Sequence, residues 1–290
     1  MAGARVHAAV NSRGAWCAPD PAVLARDATR PILYEDRDVP GTWHSQIGQD
    51  RMVHALLRHK RDGFFVDLAS NEAIFISNTR TLERDHGWNG ICIEANPTYH
   101  HALAQKRRCR LVTCAIADSE RVMQFNFKDG SMGGLIGGNM DHKKGGNTTE
   151  VSTVRFETVL ERTEAPHRLD YLSLDVEGAE SLVMQSFPWK RFSFNVLTVE
   201  RPKAELIKML RRHGYGFVCQ RSFWCRPCPS CCHNGDEVWV HRSTMKHVAT
   251  VDLSVAENAN RSRRCDGPDG LFAPGARGAY VYVGPGPGKK

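Results

Sequence analysis

Long apolar runs are missing from this sequence of 290 residues. No stretch reaches the roughly 18 apolar residues that a membrane-spanning helix needs, so none is predicted. Residues 1–30 also lack a continuous apolar segment of signal-peptide length, and we expect no secretory signal. The net charge is only +7, which is too small to identify a nucleic-acid-binding protein. The hydrophobic fraction of 41% is that of a folded globular protein and excludes disorder throughout the chain.

The ten cysteines have no obvious structural role, because a chain of this length can bury a core without a disulfide scaffold. Four of them lie close together at Cys225, Cys228, Cys231 and Cys232. Such spacing is known from zinc sites, but these usually take ligands from two separated segments, and only one is present. Zinc is therefore possible here but not favoured over a disulfide-bearing hairpin or free thiols. With this cysteine usage, a cytoplasmic location is favoured.

The composition divides the chain into three parts. Residues 1–43 carry four prolines and no sustained periodicity, and we interpret them as an N-terminal arm or linker. Residues 44–243 form the predicted domain, interrupted by a glycine-rich loop at 128–150 and a cysteine-rich hairpin insert at 221–235. Residues 244–290 are rich in glycine and proline, and we expect them to be a largely disordered tail.

Within the domain, short apolar runs alternate with helix-length amphipathic segments. The strand-like runs are Phe64–Asp67, Ile91–Glu94, Leu111–Ile116, Tyr171–Val176 and Val196–Glu200. Helices are predicted over Pro97–Lys106 and Pro202–His213. This alternation predicts an α/β fold, in which helices cover both faces of a parallel sheet.

Acidic residues follow these strand-like runs, at the edge of the sheet where open α/β folds bind their ligands. They are Asp67, Glu94, Asp118, Asp175, Glu177 and Glu200. Glu94 follows Asp67 by 27 residues, near the separation of about 20 residues between a phosphate loop and the ribose-binding acid of a nucleotide fold. A carboxylate at that position can accept hydrogen bonds from both ribose hydroxyls.

Several short sequence motifs occur in a fixed order along the chain. They are Ser45–Asp50, Phe65–Ala69, Ser77–Thr79, Gly87–Gly90, Cys92–Pro97 and Asp170–Glu180, with Asp236–His241 as a closing strand. As an ordered set, they resemble the FkbM-like family of S-adenosylmethionine-dependent methyltransferases. The resemblance implies a class I methyltransferase fold, a Rossmann-like three-layer sandwich around a seven-stranded, mostly parallel sheet whose last strand is antiparallel.

The same resemblance implies S-adenosylmethionine as the cofactor and assigns residues to it. In that assignment, the loop after Asp67, with Ala69 and Asn71, cradles the methionine end, Glu94 holds the ribose, Ala95 and Asn96 flank the adenosine, and Asp118 lies near the adenine. Class I methyltransferases generally have glycines in the first loop, whereas this loop has none, although asparagine tolerates left-handed backbone. A catalytically degenerate relative therefore remains an alternative.

Asp175 and Glu177 are the predicted catalytic residues. If the strand continues to Glu177, its two-residue period places both carboxylates on one face, in the cleft. They could act as a general base for a hydroxyl, orient the cofactor, or bind a divalent cation. The simpler alternative is an acidic cluster at the start of a helix, where it complements the helix dipole.

These observations predict an O-methyltransferase that acts on a hydroxyl of a sugar or other small natural product. The partner would then be a small-molecule or glycan acceptor. The alternative is a cofactor-binding or interaction protein on the same fold without catalysis. Nucleic-acid binding ranks last, because the basic segments lack interleaved aromatic residues for base stacking.

Overall fold

The computed structural model describes residues 17–26, 32, 35–127, 132–138, 140–142, 148–221, 235–247, 272–274 and 280–282. The helices in these ranges are α1 (Pro21–Arg26), α2 (Gln49–Leu56), α3 (Arg80–His86), α4 (Pro97–Lys106), α5 (Phe156–Arg162), α6 (Glu180–Gln185) and α7 (Ala204–Arg212). The strands are β1 (Phe64–Leu68), β2 (Asn89–Ile93), β3 (Arg110–Val112), β4 (Ala115–Ala117), β5 (Arg121–Asn126), β6 (Gly134–Leu135), β7 (Thr148–Arg155), β8 (Arg168–Leu174), β9 (Ser193–Glu200), β10 (Tyr215–Arg221), β11 (Asp236–His241), β12 (Phe272–Pro274) and β13 (Tyr280–Tyr282).

The main sheet has seven strands in the order β10-β11-β9-β8-β1-β2-β3. Neighbouring strands of this sheet run parallel, except that β11 pairs antiparallel with both β9 and β10. The prediction of an α/β fold with a mostly parallel sheet is therefore confirmed. Because β11 runs opposite to β9, its first residue, Asp236, lies beside the last residue of β9, Glu200.

Helices pack on both faces of this sheet. Phe65 of β1 joins a cluster with Met52 and Leu56 of α2 and Leu82 of α3. The next residue along β1, Val66, points to the opposite face and joins a second cluster. That second cluster holds apolar side chains of α5, α6 and α7, among them Phe156, Val183 and Leu206. The central strands are mostly apolar because both of their faces are buried.

Local sequence signals explain where elements begin and end. Helix α4 starts at Pro97, which has no N–H to leave unpaired, and the Asn96 side chain accepts a hydrogen bond from the Thr98 N–H at 3.0 Å. In β2, a Cβ at Gly90 would lie 2.5 Å from atoms of Phe65, so only glycine allows β1 and β2 to pack as they do.

A second, smaller sheet has the strand order β4-β7-β5-β6. The predicted strand Leu111–Ile116 is therefore two strands, β3 in the main sheet and β4 in the second sheet. The chain leaves the main sheet at Thr113, whose N–H donates to the Cys17 carbonyl at 3.0 Å. The described part of the predicted glycine-rich loop, 128–150, includes β6 and the start of β7, which both pair with β5.

The described part of the predicted arm, residues 1–43, contacts the domain. Cys17 is disulfide-bonded to Cys114. Asp38 forms ion pairs with Arg80 and with Arg84, the latter at 2.6 Å. The boundary at residue 43 stays a prediction. In the predicted tail, β12 and β13 pair with each other, and residues 222–234 of the predicted hairpin insert lie outside the described residues.

Disulfides were not expected from the length of the chain, but the structure contains them. A second one joins Cys92 in β2 to Cys109, just before β3. Cys219 in β10 is also disulfide-bonded. The four cysteines considered for zinc lie outside the described residues, so zinc stays a prediction there. None of the described helices has the length and apolar character of a membrane span.

Candidate active site

A pocket opens at the carboxyl ends of β1 and β2, with about 540 Å³ of empty volume that includes its open mouth. Its walls are mainly apolar and include Leu68, Ile93, Ile116, Phe125 and Leu135. Five of the residues assigned to the cofactor line it: Ala69, Asn71, Glu94, Ala95 and Asn96. The structure therefore brings together the loop after β1 and the segment after β2, as the sequence predicts.

Glu94 is the buried acid of this pocket. One carboxylate oxygen accepts the Asn71 N–H at 2.8 Å, and the other accepts the Asn96 N–H at 2.7 Å. Burial raises the pKa of Glu94 to about 7, although these two hydrogen bonds act to lower it. Each carboxylate oxygen has a further lone pair, so the carboxylate can also accept hydrogen bonds from a ligand in the pocket.

The first loop adopts a glycine-like path without containing glycine. Ala69 has φ 62° and Asn71 has φ 55°, which are both left-handed values. Asparagine tolerates this region well, whereas alanine adopts it at a cost of roughly 1–2 kcal/mol. This conformation directs the Asn71 N–H towards Glu94 and lets the Ala69 N–H donate to the Ile93 carbonyl at 2.9 Å.

Asp67 lies behind the pocket and does not line it. Its carboxylate is buried and accepts a hydrogen bond from the Thr79 hydroxyl at 2.5 Å. Thr79 in turn accepts from Arg107, which forms a fully buried ion pair with Glu83 at 2.9 Å. Burial raises the pKa of Asp67, and the charge of Arg107 opposes this shift. In this position Asp67 fixes the strand end and the loop, so its direct contact with a cofactor stays a prediction.

Asp118 lies away from the pocket, past the end of β4. Its side chain is 37% exposed and forms an ion pair with Arg121 at 2.6 Å. Leu111–Ile116 is predicted from the sequence as one strand of the main sheet, but the chain crosses to the second sheet before Asp118. Its predicted contact with adenine stays untested, and this position does not favour it.

Asp175 and Glu177 lie beside the pocket, next to a third acid. Carboxylate oxygens of Asp175, Glu177 and Glu200 all lie within 4.8 Å of one another. Val176, between the two predicted catalytic residues, lines the pocket. Burial raises the pKa of Asp175 well above its usual value, and the neighbouring charges of Glu200 and Asp236 raise it further. Burial and Glu200 also raise the pKa of Glu177.

A turn at residues 177 and 178 places Glu177 in this cluster. Glu177 has φ 52° and Gly178 has φ 92°, so the chain does not continue as the extended strand that the two-residue period assumes. The cluster therefore forms through this turn. The acids after β8 do not simply cap a helix, because Glu177 bonds to a cation after β9.

That cation is Arg201, which contacts several acids of the cluster. Its guanidinium donates to Glu177 at 2.8 Å and to Glu200 at 3.0 Å. It also forms an ion pair with Asp141 at 3.1 Å. These contacts offset part of the negative charge of Glu177, Glu200 and Asp141.

Sequence reasoning missed three functional candidates: Gln49, Arg201 and Asp236. It identified Glu200 as a strand-end acid but assigned it no role. Asp236 and Gln49 join the site only because β11 is antiparallel and α2 packs beside it, which brings the Gln49 amide to 2.7 Å from the Asp236 carboxylate. No local motif marks this pair.

Comparisons with known proteins identify a family. Residues 63–217 match the family described as the methyltransferase FkbM domain. The chain belongs to this FkbM methyltransferase family. A search of curated proteins finds no match.

Among solved structures, the chain is similar to a precorrin-6y C5,15-methyltransferase from Geobacter metallireducens. The identity is 12%, the TM-score is 0.35, and the match covers 72% of this chain and 97% of the other.

The matched segment of this FkbM methyltransferase contains most of the candidate site, from Asp67 to Glu200. Gln49 and Asp236 lie outside it, on either side in the sequence. Asp175, Glu177 and Glu200 therefore all lie within the matched segment, whereas Asp236, which pairs with Glu200, lies outside it.

Proposed function

We propose that this FkbM methyltransferase transfers a methyl group from S-adenosylmethionine to a hydroxyl oxygen of a sugar or other small natural product. The observation that carries the proposal is the position of the carboxylates of Asp175, Glu177 and Glu200 beside the pocket that contains Glu94. One part of the site suits an adenosyl cofactor, and the adjacent part suits proton removal from an alcohol.

The pocket has a hydrogen-bond acceptor and apolar walls that suit such a cofactor. Glu94 can hold ribose hydroxyls, and Ile93, Ile116 and Phe125 provide apolar surface for an adenine ring. The left-handed backbone at Ala69 and Asn71 gives the first loop the path that glycine would provide. These features support an intact cofactor site and weaken the alternative of a degenerate, noncatalytic relative.

The bound cofactor supplies an electrophilic methyl on sulfur; as the new C–O bond forms, the S–C bond breaks and S-adenosylhomocysteine remains. The protein must hold the alcohol in line and accept its proton. We assign this proton to Asp175 or Glu177, whose carboxylates lie beside the pocket. Because their pKa values are raised, their ionised forms are stronger bases than an exposed carboxylate.

The strand order of the main sheet, with its antiparallel β11, supports the class I methyltransferase fold. A glycan or small-molecule acceptor suits the cluster, because carboxylates bind hydroxyl groups well. The cytoplasmic location stays a prediction. The disulfides at Cys17–Cys114 and Cys92–Cys109 instead favour an oxidising compartment, since disulfides are rare in the cytosol.

The proposal is tested in two steps. Calorimetry with S-adenosylhomocysteine should show saturable binding to the purified protein. Methyl transfer from radiolabelled S-adenosylmethionine to a panel of oligosaccharides and hydroxylated small molecules should then identify an acceptor. Absence of binding at millimolar concentrations would contradict the proposal.

With an acceptor in hand, Asp175→Asn and Glu177→Gln should each leave S-adenosylhomocysteine binding within about threefold of wild type. At least one should lower turnover by roughly 10²- to 10⁴-fold, the usual contribution of a general base. Full turnover in both variants would exclude these carboxylates from catalysis.

A further inference from the structure

A second cavity lies at the opposite end of the main sheet from the cofactor pocket. It has about 1110 Å³ of empty volume, including its open mouth. Phe64, Asn89 and Arg110 line it, and these are the first residues of β1, β2 and β3. The cofactor pocket is lined instead by the last residues of β1 and β2. The five residues of β1 therefore separate the two openings by about 13 Å along the strand.

The walls of this second cavity come from parts of the chain that are distant in the sequence. Arg108 lies in the connection between α4 and β3, and Arg110 begins β3. Glu164 lies just after α5, and Leu24 belongs to α1. The cavity thus combines charged groups with apolar surface, as ligand sites commonly do.

The two arginines keep their positive charge at the wall of this cavity. The Arg108 guanidinium donates to the backbone carbonyl of Glu83, and that of Arg110 donates to the Thr163 carbonyl at 2.5 Å. Both acceptors are neutral. Neither guanidinium forms an ion pair with a carboxylate in the part of the chain that the structure describes. Since a guanidinium has five N–H donors, each arginine retains donors for a ligand.

The chain that carries the two arginines is held firmly in place. The buried carboxylate of Glu83 pairs with Arg107 at 2.9 Å and accepts the N–H groups of Arg108 at 2.9 Å and Cys109 at 2.7 Å. A disulfide also joins Cys109 to Cys92 in β2. Because the backbone is fixed before any ligand arrives, less conformational entropy is lost when one binds.

The charges of the lining indicate the chemistry of a ligand. Arg107 is neutralised by Glu83, and Glu164 contributes one negative charge, so Arg108 and Arg110 leave the cavity with a net positive charge. Guanidinium groups bind oxyanions through paired N–H donors. A carboxylate such as that of Glu164 accepts hydrogen bonds from hydroxyl groups. The lining therefore suits a hydroxylated molecule that carries an anionic group.

We propose that this second cavity is a binding site for an acidic sugar, in which Arg108 and Arg110 bind the oxyanion group and Glu164 accepts hydrogen bonds from sugar hydroxyls. Sulfate, phosphate and carboxylate groups all present suitable oxygen atoms, and the test distinguishes among these sources of the anion. The site is separate from the cofactor pocket, so the inference does not depend on the proposed function.

The test is an NMR titration of the arginine Nε–H signals in the full-length, disulfide-bonded protein at low ionic strength, where screening is weak. The probes are the sulfate ester, the phosphate ester and the uronic acid of glucose, with glucose as the uncharged control. We expect at least one acidic probe to shift the Arg108 and Arg110 signals saturably, and glucose to shift neither. The probe that binds most tightly identifies the anion.

Arg108→Gln and Arg110→Gln each remove one guanidinium and keep a hydrogen-bonding side chain, and binding is followed on the signal of the other arginine. Each variant should bind the tightest probe about tenfold more weakly, as expected for the loss of a charge-assisted hydrogen bond. Arg211→Gln is the matched control, because it removes the same charge from an exposed position on α7 that does not line the cavity. It should bind as wild type does.

The absence of saturable shifts with all three acidic probes would overturn the inference. Full affinity in the folded glutamine variants would do so as well. An equal loss of affinity in Arg211→Gln would also overturn it, because the net charge alone would then attract the probe. Should Arg110→Gln fail to fold, Arg108→Gln decides the question, since Arg108 is exposed. S-adenosylhomocysteine should leave both signals unmoved, because neither arginine lines the cofactor pocket.

Discussion

At the scale of single residues, Glu94 shows how one side chain can organise a site. Its carboxylate links the loops after β1 and β2, because it accepts hydrogen bonds from the backbone N–H groups of Asn71 and Asn96. The same carboxylate faces the pocket. A buried acceptor with two fixed donors is costly to replace, because any substitute leaves at least one donor unpaired.

Glu94→Gln should therefore weaken S-adenosylhomocysteine binding by about 10- to 100-fold, which corresponds to roughly 1.4–2.8 kcal/mol. The amide NH₂ of glutamine would face a backbone N–H, so one of the two loop contacts is lost along with the negative charge. Calorimetry at pH 8 measures the change. The matched variant Glu161→Gln, on the exposed surface, should bind as wild type does, and equal affinities in both variants would refute the role given to Glu94.

At the scale of elements, the contact between α2 and α3 depends on stacked histidine rings. His54 of α2 stacks on His86 of α3 at a centroid distance of 3.8 Å, and Trp43 packs against both rings. Burial, together with the neighbouring His86, His59 and Arg61, lowers the pKa of His54 to about 4. The folded protein thus holds this ring neutral between pH 6.5 and 4.

The unfolded chain binds a proton at His54 in this pH range and the folded protein does not, so stability falls as the pH drops below about 6.5. Between pH 6.5 and pH 4.5 this difference in proton binding corresponds to a loss of about 2 kcal/mol of unfolding free energy, after allowance for partial solvent screening. His54→Phe keeps a ring in the stack and should remove this part of the pH dependence. Urea unfolding at pH 7 and pH 4.5 measures it.

His167→Phe is the control for this comparison, because His167 is exposed and its ring packs edge-on against Phe192. The unfolding free energy of this variant should fall as steeply as that of the wild type when the pH drops from 7 to 4.5. If His54→Phe shows the same slope as wild type, the buried histidine stack is not an acid-sensitive contact.

At the scale of the whole molecule, the Cys17–Cys114 disulfide connects the N-terminal segment to the wall of the pocket. Its cysteines are 97 residues apart in the sequence, and Cys114 lines the pocket. A covalent link across so long a loop restricts the unfolded chain strongly. The disulfide therefore couples the stability of the fold to the geometry of the cofactor site.

Replacing both cysteines with alanine should lower the unfolding free energy by roughly 2–4 kcal/mol. It should also weaken S-adenosylhomocysteine binding severalfold. Urea unfolding and calorimetry measure these effects, and mass spectrometry without reductant verifies the pairing in the wild type. A fully reduced Cys17 in protein prepared under oxidising conditions would contradict the pairing.

Much of this arrangement could be predicted from local sequence. Some features depend only on residues near one another in the chain, namely the apolar runs, the acids that follow them and the capping residues Asn96 and Pro97. Strands β1 and β2, helix α4 and the pocket around Glu94 could therefore be predicted. The crossing from β3 to β4 could not be predicted, because Leu111–Ile116 has continuous strand character and only pairing with distant β7 separates the two strands.

The sequence alone determined the alternation of strands and helices, the family, and which acids lie at strand ends, since these depend on periodicity and order. Only the tertiary structure decided which of those acids meet. Gln49, Asp175 and Asp236 are far apart in the chain and converge because β11 runs antiparallel beside β9 and α2 packs against its start. The proton affinity of a carboxylate depends on its burial and on its distance from other charges. Neither quantity can be read from the order of the residues in the sequence.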